Sequence, residues 1–205
     1  MIYDLSPPIS ERLQVWPGDT PPRREILADL RRGDNLTLST LHATVHLGAH
    51  ADGPNHYGRD APAIHERGLH YYLGPCQVLR ISVARGECVT ASQLPGFTAK
   101  RVLFATRTYP DPESFNADFA ALSPDLIDVL HEQGVILVGI DTPSVDRFDS
   151  RDLPVHQRVL RYDMAILEGL VLTDVPEGRY ELIALPLKLV GFDASPVRAV
   201  LRSLA

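Results

Sequence analysis

The sequence predicts a single α/β or α+β domain spanning residues 1–205, and three observations carry that expectation. The 205 residues are enough for one sizeable core without disulfides. The chain is 44% hydrophobic and 22% charged, an ordinary globular balance. Helical and strand-like stretches are interleaved, and 17 prolines and 14 glycines are spread among them, which implies many short elements joined by shaped turns.

Each element follows from a local pattern. Residues 124–133 read as the clearest helix. Ser123 stands at the N-cap, Pro124 suits the first helical position, Asp125 favours the positive end, and Gly134 stops the helix. The apolar run 135–140 follows and ends at Asp141, which reads as a buried strand delivering an acid to a loop. Further strands are expected over 76–83, 101–106, 170–174 and 181–186, with a second helix over 153–161. Residues 36–47 alternate apolar and polar, with Leu41, Ala43, Val45 and Leu47 set against His42, Thr44 and His46. That is a strand with two unlike faces, its polar face ending on His46.

Bulk properties narrow the function. A net charge of −6 argues against nucleic-acid binding, which needs a basic face. It leaves anionic substrates open, because bound metal ions reverse the local charge. Cys76 and Cys88 form no CxxC and read as idle thiols of a reducing compartment. The first residues, MIYDLS, include an acid and no long apolar run, so no signal peptide is expected, and no stretch has the length of a membrane span. The expectation is a cytoplasmic enzyme or binding protein with no membrane or nucleic-acid partner.

The segment HLGAHADGPNH, residues 46–56, points to metal chemistry. Gly48, Gly53 and Pro54 disfavour a helix, so the histidines are not expected to be ligands one helical turn apart. A sharp turn at Gly48 instead lets His46, His50 and Asp52 converge. Two imidazoles and a carboxylate form a good partial shell for zinc, manganese or iron. His42 is expected outside that turn, in a supporting or surface position, and His65, His70 and His131 are expected to be uninvolved. His156 and Glu168 are remote candidates. Glu168 is an acid inside an apolar run, a costly placement unless it is paired or metal-bound.

The same residues resemble the HxG(T/A)HxDxPxH signature of the cyclase family, which includes bacterial kynurenine formamidases. The WPGDTP segment at Trp16, the stretch from Gly139 to Asp146, and the surroundings of His156 and Glu168 are also similar to that group. Ala49, where many members carry threonine, matches the formamidase branch.

The resemblance implies a swivelling β/β/α fold with a mixed sheet and short helices, a homodimer, and two zinc ions per subunit. His46, His50 and Asp52 would hold one ion. His156 and Glu168 would complete the second, with Asp52 and Glu168 shared. His56 would transfer protons, and Trp16 would touch the substrate. Trp16 has a plainer reading too, as an aromatic that closes its loop over the core. The implied reaction is hydrolysis of N-formyl-L-kynurenine to L-kynurenine and formate in tryptophan degradation. The alternatives are a related hydrolase of cyclic amides such as isatin, or a metal-binding module without turnover.

Overall fold

Four parallel strands form the centre of the fold, and the buried acids Asp141 and Glu168 lie at the C-terminal ends of two of them. The computed structural model describes residues 1–204. In chain order the elements are β1 (Ile2–Asp4), β2 (Arg23–Ala28), β3 (Leu38–His42), β4 (His50–Asp52), β5 (Leu73–Arg80), β6 (Cys88–Val89), β7 (Arg101–Ala105), β8 (Ala121–Leu122), α1 (Pro124–Glu132), β9 (Leu137–Ile140), α2 (Pro154–Arg161), β10 (Ala165–Glu168), β11 (Gly178–Ile183), β12 (Ala194–Pro196) and β13 (Val200–Ser203). Nine strands make one mixed sheet in the order β1-β13-β11-β5-β7-β9-β10-β4-β12. Strands β5, β7, β9 and β10 pair in parallel, and β4 and β12 continue antiparallel beyond β10. The mixed α/β class expected from the sequence is the class observed.

Side-chain alternation divides the core between the two faces of the sheet. On β7, Val102 and Phe104 enter one apolar cluster, while Leu103 and Ala105 enter the other. Val138, Ile140 and Ile166 join the first, and Leu137, Ala165 and Leu167 join the second. Helices α1 and α2 cover the first face with Leu126, Ile127, Leu130, Val155 and Val159. Burying each such side chain contributes roughly 1.5–3 kcal/mol. Glu168 continues the alternation from Ile166, so it emerges on the helix-covered face.

Both expected helices form, with Pro124 and Pro154 in their first turns. Ser123 occupies the N-cap position of α1, but its side chain makes no capping bond. Other expectations are corrected. Residues 170–174 are not a strand. The strand is β10, and Gly169, at φ +65, turns the chain out of it. The alternating run 36–47 is a strand only over Leu38–His42, where it forms a separate hairpin with β2. His46 therefore lies in the loop after β3, and the chain re-enters the main sheet at β4. The strands expected over 76–83 and 181–186 begin and end three residues earlier, as β5 and β11. No helix among the described residues is long and apolar enough to cross a membrane.

Candidate metal centre

Strand register assembles the candidate site. His50 and Asp52 lie two residues apart on β4 and share one face, while Ala51 between them enters the core. Glu168, the last residue of β10, is the register partner of His50. His156 comes from the first turn of α2. Two glycines bring the connecting loops together. A Cβ on Gly169 would meet the Gly48 carbonyl oxygen at 2.2 Å, and Gly48 itself turns at φ +56. The turn at Gly48 is the one the sequence predicts.

The polar atoms converge in an ordered way. Asp52 Oδ1 lies 3.3 Å from His46 Nδ1 and 3.4 Å from His50 Nε2. Asp52 Oδ2 lies 3.4 Å from His156 Nε2. Glu168 divides similarly, with Oε2 at 3.4 Å from His50 Nε2 and Oε1 at 3.6 Å from His156 Nε2. Each carboxylate thus presents one oxygen toward His50 and the other toward His156.

These separations are long for hydrogen bonds but fit a shared ion. Ligand atoms on a tetrahedral zinc shell of about 2.0–2.1 Å radius stand about 3.3 Å apart. The satisfaction of the polar atoms agrees. Both Asp52 oxygens and His50 Nε2 are buried without a hydrogen-bond partner, a costly state that bound cations relieve. Ligand atoms of His46, His50 and Asp52 lie within 4.8 Å of one another, as do those of Asp52, His56 and His156. The donor set of imidazoles and carboxylates suits zinc, manganese or iron.

The imidazoles are held by partners on their far sides. His50 Nδ1 faces the Gly48 carbonyl at 2.8 Å. His156 Nδ1–H donates to Asp146 Oδ2 at 2.7 Å, and the same carboxylate accepts the backbone N–H groups of Val155 and His156, each at 3.0 Å. His46 Nε2–H donates to Asp193 Oδ2 at 3.0 Å. Such bonds fix the tautomer and aim the opposite nitrogen at a metal. The field of the carboxylates is strong. Burial opposes charge on His156, yet the hydrogen bond to Asp146 and the neighbouring carboxylates of Asp52 and Glu168 raise its pKa to about 10. Burial opposes charge on His46 as well, and Asp52 and Asp193 raise it to about 9.

His56 ends a short turn, Pro54–His56, at the rim of the cluster. Its ring centre is 4.3 Å from that of His46 and 6.1 Å from that of His156. Its Nδ1 lies 3.5 Å from Asp193, and partial burial lowers its pKa below the ordinary value. A cavity of about 610 Å³ opens onto His46, His50, His56, His156 and Glu168, and Trp16 forms part of its wall. Trp16 packs on Phe148 at 4.9 Å between ring centres and meets Phe115 edge-on at 5.9 Å.

The family profile for putative cyclases matches residues 3–147. The chain belongs to the cyclase family. Solved structures agree with this membership. A potential metal-dependent hydrolase with cyclase activity is 30% identical, with a TM-score of 0.84 over 98% of this chain and 96% of its own. A predicted metal-dependent hydrolase from Bacillus stearothermophilus is also 30% identical, with a TM-score of 0.79 over 98% and 97% of the two chains. Isatin hydrolase A from Labrenzia aggregata, bound to benzyl benzoate, shares the fold at 20% identity, with a TM-score of 0.85 over 98% and 93%.

This cyclase-family chain brings together every residue singled out in its sequence: His46, His50, Asp52, His56, His156, Glu168 and Trp16. His42 lies apart, paired with Glu25 at 2.7 Å on the hairpin. His131 stacks on Tyr162, and His65 accepts a backbone N–H from Gly191. Two functional partners, Asp146 and Asp193, were not legible as such. Asp193 is a single acid in a loop, 147 positions from the histidine it holds.

Proposed function

We propose that this protein is a cytoplasmic, binuclear zinc hydrolase that converts N-formyl-L-kynurenine to L-kynurenine and formate. His46, His50 and Asp52 would hold one ion, and His156 and Glu168 the other, with the two carboxylates shared. The observation that carries the reading is the division of Asp52 and Glu168, each with one oxygen toward His50 and the other toward His156. Membership of a family with metal-dependent hydrolases among its solved relatives supports the reaction class.

Bound zinc lowers the pKa of water to about 7 and polarises a carbonyl oxygen. The chain's own residues supply the rest. Partial burial lowers the pKa of His56, which favours a neutral imidazole able to accept a proton at neutral pH. His56 takes a proton from the attacking water and delivers it to the anilide nitrogen as the C–N bond breaks, because an aryl amide anion is a poor leaving group. Trp16 offers the substrate ring an apolar wall, backed by Phe148 and Phe115. Asp146 and Asp193 keep His156 and His46 aimed.

A homodimer is part of this reading. It is supported by the hairpin of β2 and β3, which lies outside the main sheet and exposes Ile26, Leu27, Leu38 and Leu41. The second reading, opening of a cyclic amide, is favoured by the shared fold with isatin hydrolases. One assay separates the two. The zinc-loaded protein is offered N-formylkynurenine and isatin in parallel, and a higher kcat/KM for the linear formamide is expected. A higher value for isatin moves the protein to the cyclic-amide class.

A further inference from the structure

A strained arginine stands on the wall of the cavity. Arg107 lies two residues beyond the end of β7 and has φ +60, a left-handed conformation that side-chain-bearing residues rarely adopt. Such strain persists only where the surroundings over-determine it, and it concentrates at functional sites.

Asp141 does the determining. Its buried carboxylate accepts the Thr106 N–H at 2.9–3.0 Å, the Thr106 hydroxyl at 2.7 Å and the Arg107 N–H at 2.8 Å. The Thr106 hydroxyl also meets that of Thr108 at 2.8 Å, which in turn accepts the Ala120 N–H. The acid at the end of the apolar run 135–140 thus has a role: it locks the turn that presents Arg107.

The side chain so presented is uncommitted. Arg107 is exposed, lines the cavity, and makes no salt bridge or side-chain hydrogen bond among the described residues. It is the sole lysine or arginine in the cavity wall among the described residues. The acids there are Asp19, Asp141 and Glu168. Asp141 is occupied by the turn, and Glu168 faces the imidazoles.

Position supplies the rest. Strand β7 is separated from β10, which ends in Glu168, by β9 alone. Two strand spacings amount to about 9.5 Å. A substrate anchored at the metal centre by its formyl end would reach Arg107 with a chain of several atoms carried on the ring carbon next to the formamide. In N-formylkynurenine that chain is a ketone-linked tail ending in an α-amino carboxylate.

We infer that Arg107 is the receptor for the substrate's α-carboxylate, so that this strained turn sets a preference for aryl formamides carrying an amino-acid tail. The guanidinium fork matches a carboxylate in a bidentate geometry that lysine does not reproduce. The inference rests on the formamidase reading, but binding can test it separately from turnover. The probes are L-kynurenine and 2-aminoacetophenone, which shares the aromatic ketone and lacks the amino-acid group.

Calorimetry on the zinc-loaded protein is expected to show L-kynurenine binding at least tenfold tighter than 2-aminoacetophenone. Arg107→Gln and Arg107→Gly are expected to abolish that preference, and Arg107→Lys to retain part of it. Glycine suits φ +60, so the Arg107→Gly melting temperature should not fall, which separates ligand recognition from a structural role. Equal binding of the two probes by the native protein overturns the inference, as does an unchanged preference in Arg107→Gln, which would leave the carboxylate to the metal ions. Failure to hydrolyse N-formylkynurenine overturns the formamidase reading instead.

Discussion

His50 and Glu168 are register partners across β4 and β10, and their Nε2 and Oε2 atoms lie 3.4 Å apart. A backbone ladder therefore sets the spacing of two candidate ligands that are far apart in sequence. Asp52, two residues along β4, completes the arrangement, and its oxygens divide between His46 and His50 on one side and His156 on the other. Asp52→Ala is expected to lower zinc content from about two ions per chain to one or none. Elemental analysis of gel-filtered protein measures this, and unchanged zinc would contradict a shared carboxylate.

Asp193 and Asp146 each hold the nitrogen of an imidazole that faces away from the carboxylate cluster. Partners of this kind are worth about 10–100-fold in metal affinity or activity. Asp193→Asn and Asp146→Asn are expected to weaken zinc binding within that range in a competition titration with a chelating dye. Asp146 also receives two backbone N–H groups at the start of α2, so its variant should lose thermal stability as well. Native zinc affinity in both variants would remove the orienting role.

His56→Ala is expected to keep its zinc and its melting temperature while losing about 10²–10⁴ in kcat, the usual contribution of a general acid or base. Steady-state kinetics paired with metal analysis decide the matter. The ring stands close enough to His46 and His156 that ligation is the competing role. Zinc lost together with activity would make His56 a ligand.

Trp16→Ala is expected to reduce kcat/KM for N-formylkynurenine about tenfold, mostly through KM, because ring packing acts in both the ground and transition states. A small formamide without a ring should be much less affected. The contacts of Trp16 with Phe148, Phe115 and Phe119 give it a packing role too. Equal losses for both substrates, or a large drop in melting temperature, would assign the residue to packing alone.

What the sequence revealed was local chemistry. The turn at Gly48, the grouping of His50 with Asp52 and the proline-started helices all depend on neighbours along the chain, and each was readable, although the strand β4 that carries His50 and Asp52 was not. The misread elements depend on distant ones. Residues 170–174 looked strand-like, but the close approach of Gly169 to Gly48 bends the chain before them. The run 36–47 alternates beyond its pairing partner, and β2 ends the strand at His42. Asp193 gains its role from a loop that only the β4–β12 pairing brings near His46. Asp141 was recognisable as an acid after a buried strand, whereas the turn it locks came into view only with β7 beside β9.

Under the proposed function, two zinc ions held in this cavity would support hydrolysis of an aryl formamide. Titrating zinc into metal-free protein while following N-formylkynurenine hydrolysis tests it most directly. Negligible turnover is expected without metal, with activity rising to a plateau at about two equivalents per chain. Turnover that is independent of zinc, or none at full zinc loading, would contradict it.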